Sequence, residues 1–152
     1  MHKFKALLIN CMDPRLQGDN EIKIAAAAGL KPGEYEVLAY AGPSLWMTDP
    51  HLPADADMFW NLLDKVSLKV HGISQIVIVG HSSCGGFALK GAPQEPEAEK
   101  AAIVGSLLAA ADAIRSRQPQ LEVILQFVKI DLQPAGGLPE IKVEPIEVPV
   151  AV

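Results

Sequence analysis

The strongest constraint on the fold of this chain is an alternation of short apolar runs with longer segments of helical periodicity. The run over 73–80 (ISQIVIVG) is dense in β-branched residues, which is typical of a strand buried on both faces of a parallel sheet. Three other runs have the length and apolar character of buried strands. The four predicted strands are Phe4–Asn10, Tyr35–Ala41, Ile73–Gly80 and Leu121–Asp131.

Segments with helical character separate these strands. Residues 19–29 are rich in alanine and end at a glycine, as a helix with a glycine cap does. Residues 54–72 and 98–117 carry apolar residues at helical spacing. Residues 42–54 hold three prolines and are predicted to form a loop. Strands that alternate with helices predict right-handed βαβ units on a mostly parallel sheet.

The C-terminal segment has a different pattern. A Pro/Gly turn over 133–139 leads into residues 141–150, where apolar and polar residues alternate and Pro145 shifts the phase. Because proline is tolerated in edge strands, this segment predicts an edge strand with a bend. The predicted fold is a single α/β domain over residues 1–152. It has a mostly parallel central sheet of four strands, a C-terminal edge strand and flanking helices.

The composition excludes several classes of function. The 152 residues carry a formal net charge of -5, which argues against nucleic acid as the main partner. No apolar stretch approaches the roughly 20 residues that a membrane span needs. The first residues lack the long apolar core of a signal peptide, so we expect no membrane partner and a cytoplasmic location.

The two cysteines of the chain both follow predicted strands and both stand in polar motifs. Cys11 begins CMDPR after the first strand, and Cys84 ends HSSC, which begins at His81 after the third. In parallel α/β sheets, functional residues gather beyond the carboxyl ends of the strands. If these two strands are neighbours, two thiolates and an imidazole form a tetrahedral zinc shell with one open position, as in catalytic zinc sites.

The same residues also have simpler explanations. A histidine and a cysteine after a strand are often purely structural, and Asp13 with Arg15 can form a surface ion pair of little energetic weight. A nucleophilic pair of Cys84 and His81 is a poorer explanation, because it leaves Cys11 without a role. Beside a metal, Asp13 would accept a hydrogen bond from a bound hydroxide, and Arg15 would keep that carboxylate ionised and in place.

The two motifs resemble those of the β-class carbonic anhydrases. That family has C-x-D-x-R, here residues 11–15, followed about seventy residues later by G-H-S-x-C-G-G, here residues 80–86. Residues 29–42 and the helix and strand before the second motif are similar to the family as well. The likeness covers roughly residues 4–130.

The resemblance implies a zinc enzyme that reversibly hydrates CO₂ to bicarbonate and a proton. Cys11, His81 and Cys84 would bind one Zn²⁺ per chain, and a water or hydroxide as fourth ligand would attack CO₂. Asp13 would orient that hydroxide or, in a closed resting form, occupy the fourth position itself, while Arg15 would hold Asp13 off the metal. Carbonic anhydrase is itself the best-known case in which zinc makes water acidic enough to give hydroxide at neutral pH.

The resemblance also implies a pocket and a partner. A small apolar pocket is expected to hold CO₂, and Gly42, Ser44 and Gly85 are candidates for its edge. The family's R-N-A-G loop is A-Y-A-G here (39–42), so the contacts of its arginine and asparagine are absent. Family members commonly form dimers with active sites near the interface. We therefore expect a homodimer or higher homo-oligomer, to which the apolar C-terminal segment could contribute.

Two alternative functions remain open on the sequence alone. The same hydroxide could attack a CO₂ analogue such as CS₂ or COS, because access to the pocket separates these activities within the family more than the metal ligands do. A non-catalytic zinc-binding relative would also keep the fold. The presence of both Asp13 and Arg15 argues against this last alternative, since a structural zinc site does not need them.

Overall fold

A five-stranded β-sheet forms the centre of the molecule. The computed structural model describes residues 2–131 and 136–150. The first four strands lie within two residues of their predicted boundaries. The strands are β1 (Ala6–Cys11), β2 (Tyr35–Tyr40), β3 (Gln75–His81), β4 (Glu122–Ile130) and β5 (Ile141–Ile146).

The strands lie in the order β2-β1-β3-β4-β5. The first four strands run parallel to their neighbours, whereas β5 is antiparallel to β4. The predicted α/β fold class, with a mostly parallel sheet and a C-terminal edge strand, is confirmed. Ile9 of β1 lies opposite Ile78 of β3, so these two neighbouring strands end side by side at one edge of the sheet.

The helices agree with the sequence in part. The predicted helices over 19–29 and 98–117 are present, and the one predicted over 54–72 is an α-helix that continues as a π-helix over Leu63–Leu68. The prediction of a loop over 42–54 is wrong in part, because a four-residue helix lies within it. A single helical turn is too short to show periodicity in a sequence. The α-helices are α1 (Asp19–Ala27), α2 (Leu45–Thr48), α3 (Pro53–Leu62), α4 (Gly85–Leu89) and α5 (Pro96–Arg117).

Helices cover both faces of the sheet because its central strands are apolar on both sides. Every residue of β1 is buried, and so is all of β3 after its first residue. Helix α5 packs on β3 and β4, where Lys100 lies over the ring of Phe127. Gln126, the preceding residue of β4, faces the other way and donates a hydrogen bond to the carbonyl of Ile24 in α1.

The C-terminal strand β5 occupies the edge of the sheet, as predicted. Pro145 lies opposite Gln126 of β4, and an edge strand tolerates proline because it forms ladder hydrogen bonds on one side only. Residues 133–135 of the predicted Pro/Gly turn lie outside the described residues. Among the helices described, none combines the length and the apolar character that crossing a bilayer requires.

The contact between Gly80 and α5 predicts that this glycine cannot be enlarged. A Cβ atom at Gly80 would lie 2.5 Å from Cγ2 of Ile103 and 3.1 Å from Cδ1 of Leu107. Because both side chains are fully buried, Gly80→Ala should lower the free energy of unfolding in urea by about 1–3 kcal/mol.

Gly105→Ala on α5 is the matched control. A Cβ atom at Gly105 would have no neighbouring atom within 4 Å, so this change should raise the free energy of unfolding by about 0.5–1 kcal/mol. A Gly80→Ala variant as stable as the wild type would contradict the packing described here.

Candidate metal centre

The two polar motifs meet where β1 and β3 end. Cys11 is the last residue of β1, His81 is the last residue of β3, and Cys84 precedes the first turn of α4. All three side chains are buried, and their potential ligand atoms lie within 4.8 Å of one another. The topology therefore brings together the three residues that the sequence singles out as metal ligands.

A hydrogen bond to the backbone sets the orientation of the His81 ring. Nδ1 of His81 donates to the carbonyl oxygen of Ser82 at 2.8 Å, because a carbonyl can only accept. Nε2 is then the nitrogen with a free lone pair, and it is buried with no hydrogen-bond partner among the described residues. Burial lowers the pKa of His81, but the adjacent Cys11 sulfur more than offsets this and leaves it above its ordinary value.

The two cysteine side chains perturb each other's pKa. Contact with the Cys84 side chain outweighs burial and, with the help of His81, lowers the pKa of Cys11 to about 4. The same contact and burial raise the pKa of Cys84. Cys11 is thus a thiolate held between a thiol and an imidazole, which is a strong arrangement for binding a soft cation.

The backbone near the two sulfurs also favours their thiolate forms. The backbone of Gly42 acts to lower the pKa of Cys11, and the backbone of Phe87 and Gly86 acts to lower that of Cys84. Gly86 must be a glycine for this geometry. A Cβ atom at Gly86 would lie 2.4 Å from the carbonyl carbon and oxygen of Ala41.

Asp13 and Arg15 form a bidentate ion pair beside the cysteines. Nη2 of Arg15 donates to Oδ2 of Asp13 at 2.7 Å, and Nε donates to Oδ1 at 3.1 Å. The hydrogen bonds from Arg15 lower the pKa of Asp13, and Asp13 raises the pKa of Arg15 in return. The sequence leaves open whether Asp13 lies on the metal or on Arg15, and in this structure the carboxylate is bound to Arg15.

Arg15 also connects the first motif to the second. Its Nη2 donates a hydrogen bond to the carbonyl oxygen of Ser83 at 3.1 Å, within the turn that separates His81 from Cys84. The guanidinium group therefore contacts both metal motifs at once. This contact is not visible in the sequence, where Arg15 and Ser83 are 68 residues apart.

Three amide side chains that the sequence analysis missed hold the CMDPR segment in place. Asn10 accepts from the amide of Cys11 and donates to the carbonyl of Leu16. Gln17 donates to the carbonyl of Cys11 at 2.7 Å, and Asn20 donates to the carbonyl of Arg15 at 2.8 Å. Amide residues close to a motif are common in loops, so no pattern in the sequence distinguishes these three.

The HSSC turn is held by partners from two other elements. The hydroxyl of Ser82 accepts a hydrogen bond from the amide of Ile130, at the end of β4. The amide of Ser83 donates to the carboxylate of Glu99 in α5 at 2.8 Å. From the sequence alone, Glu99 is predicted only as a residue of a helix.

The A-Y-A-G loop is held on the side away from the cysteines. Tyr40 stacks on Trp46 with ring centroids 4.7 Å apart and donates its hydroxyl to Asp55 at 2.5 Å. Burial, together with this carboxylate, raises the pKa of Tyr40 to about 12. The ring of His51 contacts the carbonyl oxygen of Ala41 at 2.8 Å. Tyr40 and His51 therefore restrain the segment that places the backbone of Gly42 beside Cys11.

An open cavity of about 450 Å³ lies over the cysteines. Gly85, a predicted pocket residue, lines it, whereas Gly42 and Ser44 do not belong to its lining. Ser44 is fully buried, and its hydroxyl hydrogen-bonds to that of Ser106 at 2.8 Å. The lining is mostly apolar and comprises Cys11, Met12, Asp13, Pro14, Ala41, Gly85, Gly86 and Leu89.

The donor set fits a zinc ion. Zinc–sulfur bonds of about 2.3 Å and zinc–nitrogen bonds of about 2.0–2.1 Å place the ligand atoms of a tetrahedral site about 3.5–4 Å apart. The three ligand atoms here are within 4.8 Å of one another, so a small contraction suffices. A cation would displace the thiol proton of Cys84 and would give Nε2 of His81 the partner it lacks.

Comparison with known proteins shows a family and a shared fold. A family model described as "Putative carbonic anhydrase" matches residues 1–135. No curated protein sequence matches the chain.

Two solved structures are similar to the chain. One is from a study of two tetrameric β-carbonic anhydrases of the filamentous ascomycete Sordaria macrospora. Its TM-score is 0.57 at 16% identity, over 85% of this chain and 77% of that chain. The other is the β-carbonic anhydrase CafA of the fungal pathogen Aspergillus fumigatus, with a TM-score of 0.56 at 13% identity over 84% and 72% of the two chains. At these identities the likeness shows a shared fold.

The contact of Gly86 with the A-Y-A-G loop predicts that Gly86→Ala damages the centre. The added methyl group would meet backbone atoms of Ala41 and Gly42, which cannot move aside without displacing the backbone beside Cys11. We expect the affinity for Zn²⁺, measured by competition with a chromophoric chelator, to fall at least about tenfold.

Gly85→Ala provides the comparison for this test. A Cβ atom at Gly85 would have no neighbour within 4 Å, so zinc affinity and thermal unfolding should stay close to those of the wild type. If both variants bound zinc equally well, the close approach of the loop to Gly86 would have no role in the centre.

Proposed function

The chain belongs to this carbonic anhydrase family, whose model matches residues 1–135, and we propose that it catalyses the reversible hydration of CO₂ to bicarbonate and a proton with one Zn²⁺ per chain. This proposal rests mainly on one structural observation. A buried cluster of two cysteines and a histidine lies under an apolar cavity whose wall holds a carboxylate paired with a guanidinium group.

In the proposed site, Cys11, His81 and Cys84 would hold the zinc ion. When bound, the metal would supply a Lewis acid that makes hydroxide available from water at neutral pH. Three protein ligands would leave a fourth position for the reaction. The backbone beside Cys11 and Cys84 favours the thiolate forms that bind the metal.

Asp13 orients the attacking water in this proposal. Its carboxylate lies in the cavity wall and accepts a hydrogen bond from the water, so that an oxygen lone pair faces the carbon of CO₂. Arg15 keeps Asp13 ionised and turned away from the cysteines through its two hydrogen bonds. The oxygen adds to the carbon to give bicarbonate, and the released proton passes to the buffer.

The cavity suits a small uncharged substrate. Apart from Asp13, its lining consists of the buried sulfur of Cys11 and of apolar or glycine residues, and it includes no cationic side chain. CO₂ carries no charge for a cation to bind, so such a lining is adequate for it, whereas a larger anionic substrate would lack a partner.

CS₂ and COS are the alternative substrates, because they share the linear shape and the electrophilic carbon of CO₂. The cavity is wide enough for either molecule, since its volume is about 450 Å³. A non-catalytic zinc-binding role is the third candidate, and the bidentate pair of Asp13 and Arg15 argues against it.

A homodimer or higher homo-oligomer in the cytoplasm is part of the proposal. Met12 and Leu89, at the rim of the cavity, are 64% and 78% exposed, and a second copy of the chain would remove these apolar side chains from water. The two free cysteines suit a reducing compartment such as the cytoplasm.

The test of the reaction is stopped-flow CO₂ hydration by the zinc-loaded protein. Asp13→Asn keeps the shape of the side chain but removes the charge that orients the water, so kcat/KM should fall about 100-fold while zinc content stays at one per chain. Asp57→Asn, which makes the same change at an exposed position, should have wild-type activity.

Two results would count against the proposal. Full activity in zinc-loaded Asp13→Asn would remove the role given to Asp13. A well-folded wild-type protein that binds no zinc would refute the zinc enzyme as a whole. Assays of H₂S release from CS₂ and COS on the same samples decide between the two substrate classes.

The oligomer is tested by sedimentation velocity at micromolar concentration. The wild type should sediment as a dimer or larger species, and Leu89→Asp should shift it toward the monomer, because a carboxylate would be buried at the contact. Leu52→Asp changes a side chain that is 63% exposed but does not line the cavity, and it should leave the mass unchanged. A monomeric wild type would contradict the proposed assembly.

A further inference from the structure

Glu99 is a buried carboxylate that the proposed reaction does not use. It lies in the first turn of α5 and is only 5% exposed. Burying a carboxylate is costly unless it is well hydrogen-bonded. Its hydrogen-bond partner is a backbone amide and not a cationic side chain. Oε1 of Glu99 accepts a hydrogen bond from the backbone amide of Ser83 at 2.8 Å, whereas the neighbouring Lys100 is paired with Glu144.

Ser83 has an unusual backbone conformation. Its φ angle is +55°, and it is the only residue other than glycine with a positive φ in the part of the chain that is described. For a residue with a Cβ atom, this left-handed conformation costs roughly 1–2 kcal/mol. A strained residue persists only where its surroundings hold it, and Ser83 lies between His81 and Cys84 in the turn that joins the two ligands.

Ser83 is held at both of its backbone polar groups. Glu99 accepts from its amide at 2.8 Å, and Arg15 donates to its carbonyl at 3.1 Å. A relaxed φ would turn one of these groups away and would change the direction in which Cys84 leaves the turn. The conformation of this one residue therefore determines whether the Cys84 sulfur faces Nε2 of His81.

We propose that Glu99 is a positioning residue of the metal centre, which holds Ser83 in the left-handed conformation so that His81 and Cys84 face the same metal ion. This inference rests on the proposed function only in requiring that the site binds zinc. A carboxyl oxygen suits the task because it can accept the hydrogen bond of the Ser83 amide.

The simplest competing explanation is that Glu99 only stabilises the beginning of α5. Glu97 lies in the same turn of the helix and is exposed, so it shares any favourable interaction with the helix dipole. Unlike Glu99, its side chain forms no hydrogen bond to Ser83. Glu97→Ala is therefore the control for a purely helical role.

The experiment compares two variants of similar side-chain volume. Glu99→Met removes the acceptor atom without leaving a cavity, and Glu99→Gln keeps an oxygen that can accept from the amide of Ser83. Zinc affinity is measured with Zn²⁺ alone by chelator competition, and the visible spectrum of the Co²⁺-loaded protein reports the geometry of the ligands.

We expect Glu99→Met to weaken zinc binding by about 10- to 100-fold and to change the Co²⁺ spectrum. The zinc affinities of Glu99→Gln and Glu97→Ala should stay within about threefold of that of the wild type. Introducing Ser83→Gly into Glu99→Met should restore part of the affinity, because glycine adopts a positive φ without strain. If Glu99→Met alone does not fold, the zinc affinity of this double variant is compared with that of Ser83→Gly instead.

Two outcomes would overturn the inference. One is a wild-type zinc affinity and Co²⁺ spectrum in Glu99→Met. Where Glu99→Met does not fold, the equivalent outcome is a wild-type zinc affinity and spectrum in the double variant together with no loss of zinc affinity in Ser83→Gly. The other is an equal loss in Glu99→Met and Glu99→Gln, since the charge and not the hydrogen bond would then be responsible. Failure of the wild type to bind zinc would instead refute the proposed function, so the two failures are distinguishable.

Discussion

The parallel pairing of β1 with β3 is the interaction on which the metal centre depends. Cys11 and His81 are each the last residue of their strands, and the hydrogen-bonded register places the two strand ends at the same edge of the sheet. The strands hold this register because both are buried on both faces by helices, where a shifted pairing would leave apolar side chains without packing partners. The positions of two ligands are thus set by the core of the protein, and only Cys84 depends on a turn.

The dependence of Cys84 on a turn explains why so many hydrogen bonds converge on the turns beyond the sheet. Three amide side chains hold the CMDPR segment by its carbonyl and amide groups. The HSSC turn is held by a backbone amide of β4, which donates to the hydroxyl of Ser82, and by a carboxylate on α5. Arg15 then joins the two turns through the carbonyl of Ser83. Donor atoms supported in this way would resist rearrangement around a bound metal, whereas a looser loop would fill the open position with one of its own donors.

The sequence predicts the parts of this arrangement that rest on repeated patterns. The four parallel strands and the long helix α5 follow from apolar periodicity. The convergence of Cys11, His81 and Cys84 is predicted on the condition that the first and third strands are neighbours, and the strand order meets that condition. Contacts between single residues far apart in the chain leave no such pattern. Glu99 looks like any acidic residue in the first turn of a helix, and its bond to Ser83 exists only because α5 crosses the end of β3. Helix α2 was missed because one turn has no periodicity, and Ser44 could not be placed without knowing that it packs against Ser106.

The double role of Arg15 bears on what Asp13 would do beside a bound metal. Because Ser83 also anchors Arg15, the guanidinium group would keep a partner if Asp13 turned away from it. The position of Asp13 would then be set by a competition between its hydrogen bonds to Arg15 and a bond to the metal. Burial of the pair strengthens the hydrogen bonds, since the exposed fractions of the two side chains are only 16% and 29%. An arginine free to follow the carboxylate would provide no such opposition, so in the proposed site the contact with Ser83 would help Arg15 to keep the fourth position open.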